Sequence, residues 1–227
     1  VPNDTKQPHF LCIDFAICKS GEGKPIPQLI ELQAFPSLFG FQDFYKDINF
    51  EVYPFLEELK AQMEPDVHQK LMEDIILANE NPENVIILEL FPKNQKTKID
   101  FKITEDLLGI KTLCLSQVMK QGKELFYINN GKQTKIKRIY NRVIFDELQK
   151  YDQSQFEFDF RDEVDVEWVT HPNWFFKISK YILPYLQHTY IPNSYFANKF
   201  PSTEDIKDYV LKPLFSFAGN GVNLNPT

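Results

Sequence analysis

The chain has 227 residues, 43% hydrophobic and 25% charged, enough to bury one large core or two small ones. Its formal net charge of -7 argues against a general nucleic-acid binder, which needs a basic face to replace counterions. Three scattered cysteines, Cys12, Cys18 and Cys114, exclude a disulfide framework or a cysteine zinc site; they suit a reducing compartment, and a cytoplasmic location is expected. No run approaches the length that spans a bilayer and no signal-like segment opens the chain, so no membrane partner is expected. The first residue is valine, and the sequence is expected to begin inside a longer polypeptide.

Residues 10–17 (FLCIDFAI) and 27–35 (PQLIELQAF) read as two strands joined by a Gly/Lys/Pro turn region. Asp14, Glu31 and Gln33 are their polar interruptions. Glu31 and Gln33 are two apart, so on a strand both project from one face. Either that face is solvated, or it holds a metal or a substrate. From about residue 44 to 79 the apolar spacing is helical, with Pro65 placed to open a second helix. Residues 83–91 (ENVIILELF) read as a buried strand, 95–110 as a helix ended near Gly109, and 111–118 as another strand. Strand, helix and strand over about 30 residues is the size of a parallel crossover unit.

Residues 124–145 carry Asn130-Gly131 between two β-rich arms, the strongest hairpin signal in the chain. The acidic stretch from Leu148 to Asp165 reads as a loop-rich connector. A helix is expected around Trp174–Tyr181, with Pro184 ending or bending it. A capping-box-like start at 202–205 then introduces a short helix and a terminal strand over 209–211. After that strand come Lys212 and the string AGNG, Ala218 to Gly221. Glycines after a strand let backbone N–H groups approach a phosphate, and a nearby lysine supplies the compensating charge. Neither the P-loop nor the Rossmann glycine pattern is present, and AGNG alone reads as an ordinary turn.

Other features have plainer readings. His171 and Trp174 in HPNW suit a structural turn more than a substrate wall, and His68 suits an exposed helix face. Cys12 reads as a buried apolar cysteine rather than a nucleophile. The five carboxylates from Asp159 to Glu167 read as a solvated loop more than a metal cluster. The basic run from Lys132 to Arg142 reads as one solvated hairpin face, with Arg142 as its exception.

Three separated stretches together resemble the circularly permuted ATP-grasp ligases, glutathionylspermidine synthase in particular and eukaryotic glutathione synthetase more distantly. Asp14-Phe15 is similar to the family's first aspartate element, and IELQAFPSL, with Glu31 and Gln33, to its Glu-x-Asn element. Ser179 to Pro184 (SKYILP) resembles its SNKAILP segment, and Lys212 to Val222 (KPLFSFAGNGV) its KPLFGREGANV loop. IKRIYNRV resembles a Tyr-x-Arg strand of related permuted proteins, with Arg142 in the basic position.

The resemblance implies an α/β fold: ATP-grasp pieces at 1–50 and 151–227, with a Rossmann-like pre-ATP-grasp domain inserted at 51–150 and the nucleotide-clamping half continuing past Thr227. It implies an ATP- and Mg2+-dependent carboxylate–amine ligase acting through an acyl-phosphate on small or peptide-like substrates. Asp14, Glu31 and Gln33 would be the metal ligands. Lys180, Lys212, Ser216, Gly219, Asn220 and Gly221 would bind the nucleotide, and Arg142 would be catalytic. The chain departs from the family where an arginine becomes Cys12, an asparagine becomes Gln33, and a loop Arg-Glu becomes Phe217-Ala218. Two rival readings stay open: a descendant that binds a nucleotide or metabolite without catalysis, and an interaction module with no nucleotide site.

Overall fold

A computed structural model describes residues 1–64, 66–216 and 219–227. Pro65, the expected start of a second helix, and the Phe217-Ala218 departure lie outside the described residues. The elements run β1 (Cys12–Lys19), β2 (Pro25–Gln33), α1 (Phe39–Val52), α2 (Glu57–Gln62), α3 (Val67–Met72), β3 (Val85–Glu89), α4 (Lys98–Leu108), β4 (Lys111–Cys114), β5 (Met119–Gln121), β6 (Glu124–Asn129), β7 (Lys132–Ile136), β8 (Arg138–Asn141), α5 (Phe145–Leu148), β9 (Glu167–Val169) and α6 (Trp174–Lys177). The fold is mixed α/β. Among the described residues no helix is long and apolar enough to cross a membrane.

Two compact units share the chain. One takes Val1–Lys6 and Ser37–Pro172, the other Gln7–Pro36 and Asn173–Thr227. The divisions drawn from sequence at residues 50 and 150 fall inside the first of these.

The first unit is built on a parallel sheet in the order β4-β3-β8-β9. All five β3 residues are buried, as expected for a central parallel strand covered on both faces. Helix α4 makes the crossover from β3 to β4 and ends at Gly109, whose φ of 69° is the left-handed conformation that glycine adopts freely. Between β4 and β8 the chain inserts a three-stranded antiparallel meander, β5-β6-β7, with Asn130-Gly131 turning β6 into β7 at positive φ.

Three expectations are corrected here. The second hairpin arm is two strands, because the chain leaves the meander at Lys137 and enters the parallel sheet as β8, so Arg142 follows a sheet strand rather than a hairpin. The acidic connector is loop-rich as expected but not simply polar: Phe156, Phe158 and Phe160 enter the main core, where Phe158 and Phe160 stack on Trp168. His68 is half-buried, its Nε2 2.8 Å from the Phe39 carbonyl.

Helix α1 starts at Phe39, ahead of the expected position, because a distant carboxylate caps it. Asp100 on α4 accepts from the backbone N–H groups of Leu38 (3.2 Å) and Phe41 (3.0 Å), which the first helical turn leaves without partners.

In the second unit β1 and β2 form a two-stranded antiparallel sheet. The β2 edge is extended by backbone bonds from Leu29 N–H to the Tyr190 carbonyl (2.7 Å) and from Ala34 N–H to the Ile178 carbonyl (3.3 Å). Of the expected helix around 174–181, only Trp174–Lys177 is α-helical; a 3-10 segment, Lys180–Tyr185, follows and contains Pro184. The terminal strand reduces to a single antiparallel bridge between Leu211 and Asn223.

Candidate functional site

In the second unit the β1–β2 ladder pairs Asp14 with Glu31 and then Phe15 with Leu29, which leaves Ile30 as the extra residue of a bulge. Bulges re-aim groups that a regular ladder would use up. The Ile30 carbonyl turns out of the ladder and accepts a hydrogen bond from Lys212 Nζ at 2.9 Å. Beside it, Glu31 Oε2 lies 3.0 Å from Lys180 Nζ, and the same ammonium donates to the Ser216 carbonyl at 2.8 Å. Gln33 Nε2 donates to Asp14 Oδ2 at 3.3 Å, completing a row of polar groups on the strand pair.

Burial holds Lys212 below the ordinary lysine range; Glu31 pulls its pKa up and Lys180 pushes it down. Two cations and the Glu31 carboxylate thus feel one another beside the bulge. Lys180 is presented by the 3-10 segment, whose first turn is capped by the Ser179 hydroxyl accepting from Tyr181 N–H.

Glu31, Gln33, Lys180 and Ser216 line a cavity of about 20 Å3, closed on its apolar side by Phe35, Phe175 and Phe215. That is room for one water molecule. The Ser216 hydroxyl is buried and makes no hydrogen bond among the described residues, an orphan donor at the cavity wall. The aromatic wall was not singled out from sequence; its only signal was the surplus of phenylalanine, 21 residues in all.

The glycines stand elsewhere. Gly219 and Gly221, at φ of 72° and 74°, shape an exposed turn with Asn220 beside the Leu211–Asn223 bridge, and none of the three lines the cavity. At Gly221 a Cβ would come 2.7 Å from Pro213 Cγ, so this position requires glycine for packing as well as for φ.

Cys12, expected in apolar surroundings, is half-buried and donates its thiol to Asp14 Oδ1 at 3.3 Å. Burial, then the Asp14 hydrogen bond and charge, push its pKa up to about 11. At pH 8 only about one such thiol in a thousand is ionised, so the exposed Cys18 should react with a thiol reagent at least tenfold faster. Rate measurement on Cys12→Ser and Cys18→Ser, each of which also retains the buried Cys114, checks this; equal rates contradict it.

The chain matches no protein-family model and no curated protein.

Among the described residues no three His, Cys, Asp or Glu side chains are placed to hold a metal ion together, the Asp159–Glu167 loop included. Asp14 and Glu31 offer two carboxylates, which fits a magnesium ion that completes its shell with phosphate oxygens and water, not a cage made by protein alone. Gln33, expected as a third oxygen ligand, has its amide nitrogen toward Asp14.

Arg142 belongs to the first unit. It leaves the carboxyl end of β8 beside Glu89, the last residue of β3, at the point where the sheet order turns from β3–β4 to β3–β8. Buried polar groups gather at this edge: Glu89, Asn141, Arg142, Thr170 and His171. The His171 ring is fully buried between the Pro2 carbonyl, 2.9 Å from Nε2, and Asp4, which gives it a structural role.

Burial pushes the Glu89 carboxyl up to about 8, against the Leu90 N–H that it accepts at 2.7 Å and against the Arg142 charge. Folded protein therefore keeps a proton that the unfolded chain releases between its ordinary value of 4.5 and about 8, and this group lowers stability as pH rises through that window. Glu89→Gln keeps an acceptor for Leu90 N–H. It should stabilise the fold by on the order of 2 kcal/mol at pH 8, an advantage that shrinks toward pH 5 in chemical denaturation. A pH-independent difference contradicts this assignment.

Proposed function

We propose that the β1–β2 cluster binds ATP with Mg2+, and that the protein is a carboxylate–amine ligase of the permuted ATP-grasp type. The observation that carries the proposal is the convergence of Lys180 and Lys212, from separate segments, on Ile30 and Glu31, with Asp14 directly across the ladder. Two ammonium groups suit polyphosphate oxygens as point charges. Asp14 and Glu31 would hold Mg2+, which neutralises charge on the transferred phosphoryl group. For a triphosphate to enter, Lys180 must exchange Glu31 and the Ser216 carbonyl for phosphate, and the Ser216 hydroxyl gains the partner that it lacks.

ATP with Mg2+ at ten times its Kd should stabilise the protein by about 1.4 kcal/mol, and Lys212→Ala should remove that gain. A second reading, nucleotide binding without phosphoryl transfer, is favoured by Cys12. It is a protonated thiol at the position where the resemblance calls for a cation. Phosphate release on offering pooled carboxylates and amines separates the two readings: turnover supports the ligase, binding without turnover the second.

A further inference from the structure

From Phe41 to Leu71 no described residue is buried, although most of the stretch is helical. On α1 the side chains of Phe44, Ile48 and Val52 recur every four residues and are exposed, with Tyr45 beside them; Phe55 and Leu59 repeat the spacing just beyond. An amphipathic helix normally turns such a stripe inward. Here it faces solvent, and it is a contiguous patch rather than scattered apolar residues.

A row of acids runs beside the stripe. Asp43, Asp47 and Glu51 each stand one residue before Phe44, Ile48 and Val52, so they form a parallel ridge along the helix. Between residues 43 and 66 there are seven carboxylates and two lysines, a net of -5 out of the chain's -7. Lys46 is taken by Asp43 and Asp47, while Glu51, Glu57 and Glu58 are exposed and make no ion pair among the described residues.

We infer that this face docks a basic amphipathic helix of a partner polypeptide, apolar side against the stripe and Lys or Arg side chains against the acidic ridge. Charge chooses among occupants. A second copy would set ridge against ridge, and an anionic membrane would repel the ridge. The inference is independent of the nucleotide reading, which concerns the other unit.

The test uses a fluorescein-labelled 14-residue Leu/Lys peptide with leucines three and four apart, titrated by anisotropy in 0.15 M NaCl against a shuffled peptide of the same composition. Saturable 1:1 binding at least tenfold tighter than the shuffled peptide is expected. Ile48→Gln with Val52→Gln, and separately Asp47→Asn with Glu51→Gln, should each weaken it at least tenfold with unchanged far-ultraviolet circular dichroism. Because all four residues lie outside the core, these variants are expected to fold. Equal binding of the shuffled peptide, or variants that bind like wild type, overturns the inference. So does a wild-type dimer in sedimentation that the Ile48→Gln, Val52→Gln variant dissociates, or adsorption to phosphatidylglycerol vesicles that the same variant abolishes.

Discussion

Lys180→Met should destabilise the protein by about 2–3 kcal/mol, measured by chemical denaturation at neutral pH. The Lys180 side chain is 10% exposed and that of Glu31 23%, so removing the ammonium strands a mostly buried carboxylate and takes a donor from the Ser216 carbonyl. Nearby Lys212 still interacts with Glu31, which keeps the loss below that of an isolated buried pair. Adding Glu31→Gln should recover more than half of it, because the cost lies in the uncompensated charge and not in the absent attraction. A single variant within 0.5 kcal/mol of wild type, or a double variant no better than the single, would mean that the pair is solvated.

Arg138→Met should cost about 3 kcal/mol or more. Arg138 is 6% exposed at the start of β8, and its fork closes a helix end. After α3 the chain widens into a π-type turn, Glu73–Leu77, and stops at Ala78 and Asn79, both at positive φ. Terminal carbonyls there have no helical donors. Arg138 Nε donates to the Ile76 carbonyl and Nη2 to the Ile75 carbonyl, each at 3.0 Å, while Nη1 pairs with Glu167. A cation at a helix C-terminus also opposes the dipole. Met fills similar volume but leaves both carbonyls unpaired. Arg138→Lys should lie between the two, since an ammonium cannot reproduce the planar fork. The Glu167 partner is 74% exposed, so Glu167→Gln should cost under about 1 kcal/mol. If Arg138→Met and Glu167→Gln cost the same, the carbonyl contacts contribute little.

Where local chemistry decides structure, the sequence could be read. The run at 83–91 has strand length and no solvent face, and Val85–Glu89 is fully buried. Asn130-Gly131 dictates its hairpin, and Gly109 ends α4. Long-range contacts decide the rest. Asp100 sets where α1 begins from across the unit, a partnership that no spacing reveals. The acids around Phe156, Phe158 and Phe160 masked an alternating aromatic pattern, because those residues enter the core without a regular strand ladder. Ile136 and Ile139 are both fully buried and flank the point where the chain changes sheets; hydrophobicity alone cannot mark such a change.

The site divides in the same way. Glu31 and Gln33 were legible as polar groups on one face of an apolar strand. That Lys180 meets Glu31 and Lys212 meets the Ile30 carbonyl depends on pairing between segments some 150 residues and more apart, which no local pattern marks. The bulge at Ile30, which frees the carbonyl that holds Lys212, left no trace in composition. Gly219 to Gly221 were legible as a turn, and they stand at the surface beside the terminal bridge.

The most direct measurement is an isothermal titration of the protein with ATP and with AMP, each with Mg2+, repeated on Lys212→Ala. If the two ammonium groups and the Asp14–Glu31 pair receive a triphosphate, ATP binds with a Kd below about 1 mM and at least tenfold tighter than AMP, and Lys212→Ala erases the difference. No heat from ATP at millimolar concentration, or equal affinity for ATP and AMP in the wild-type protein, contradicts the account.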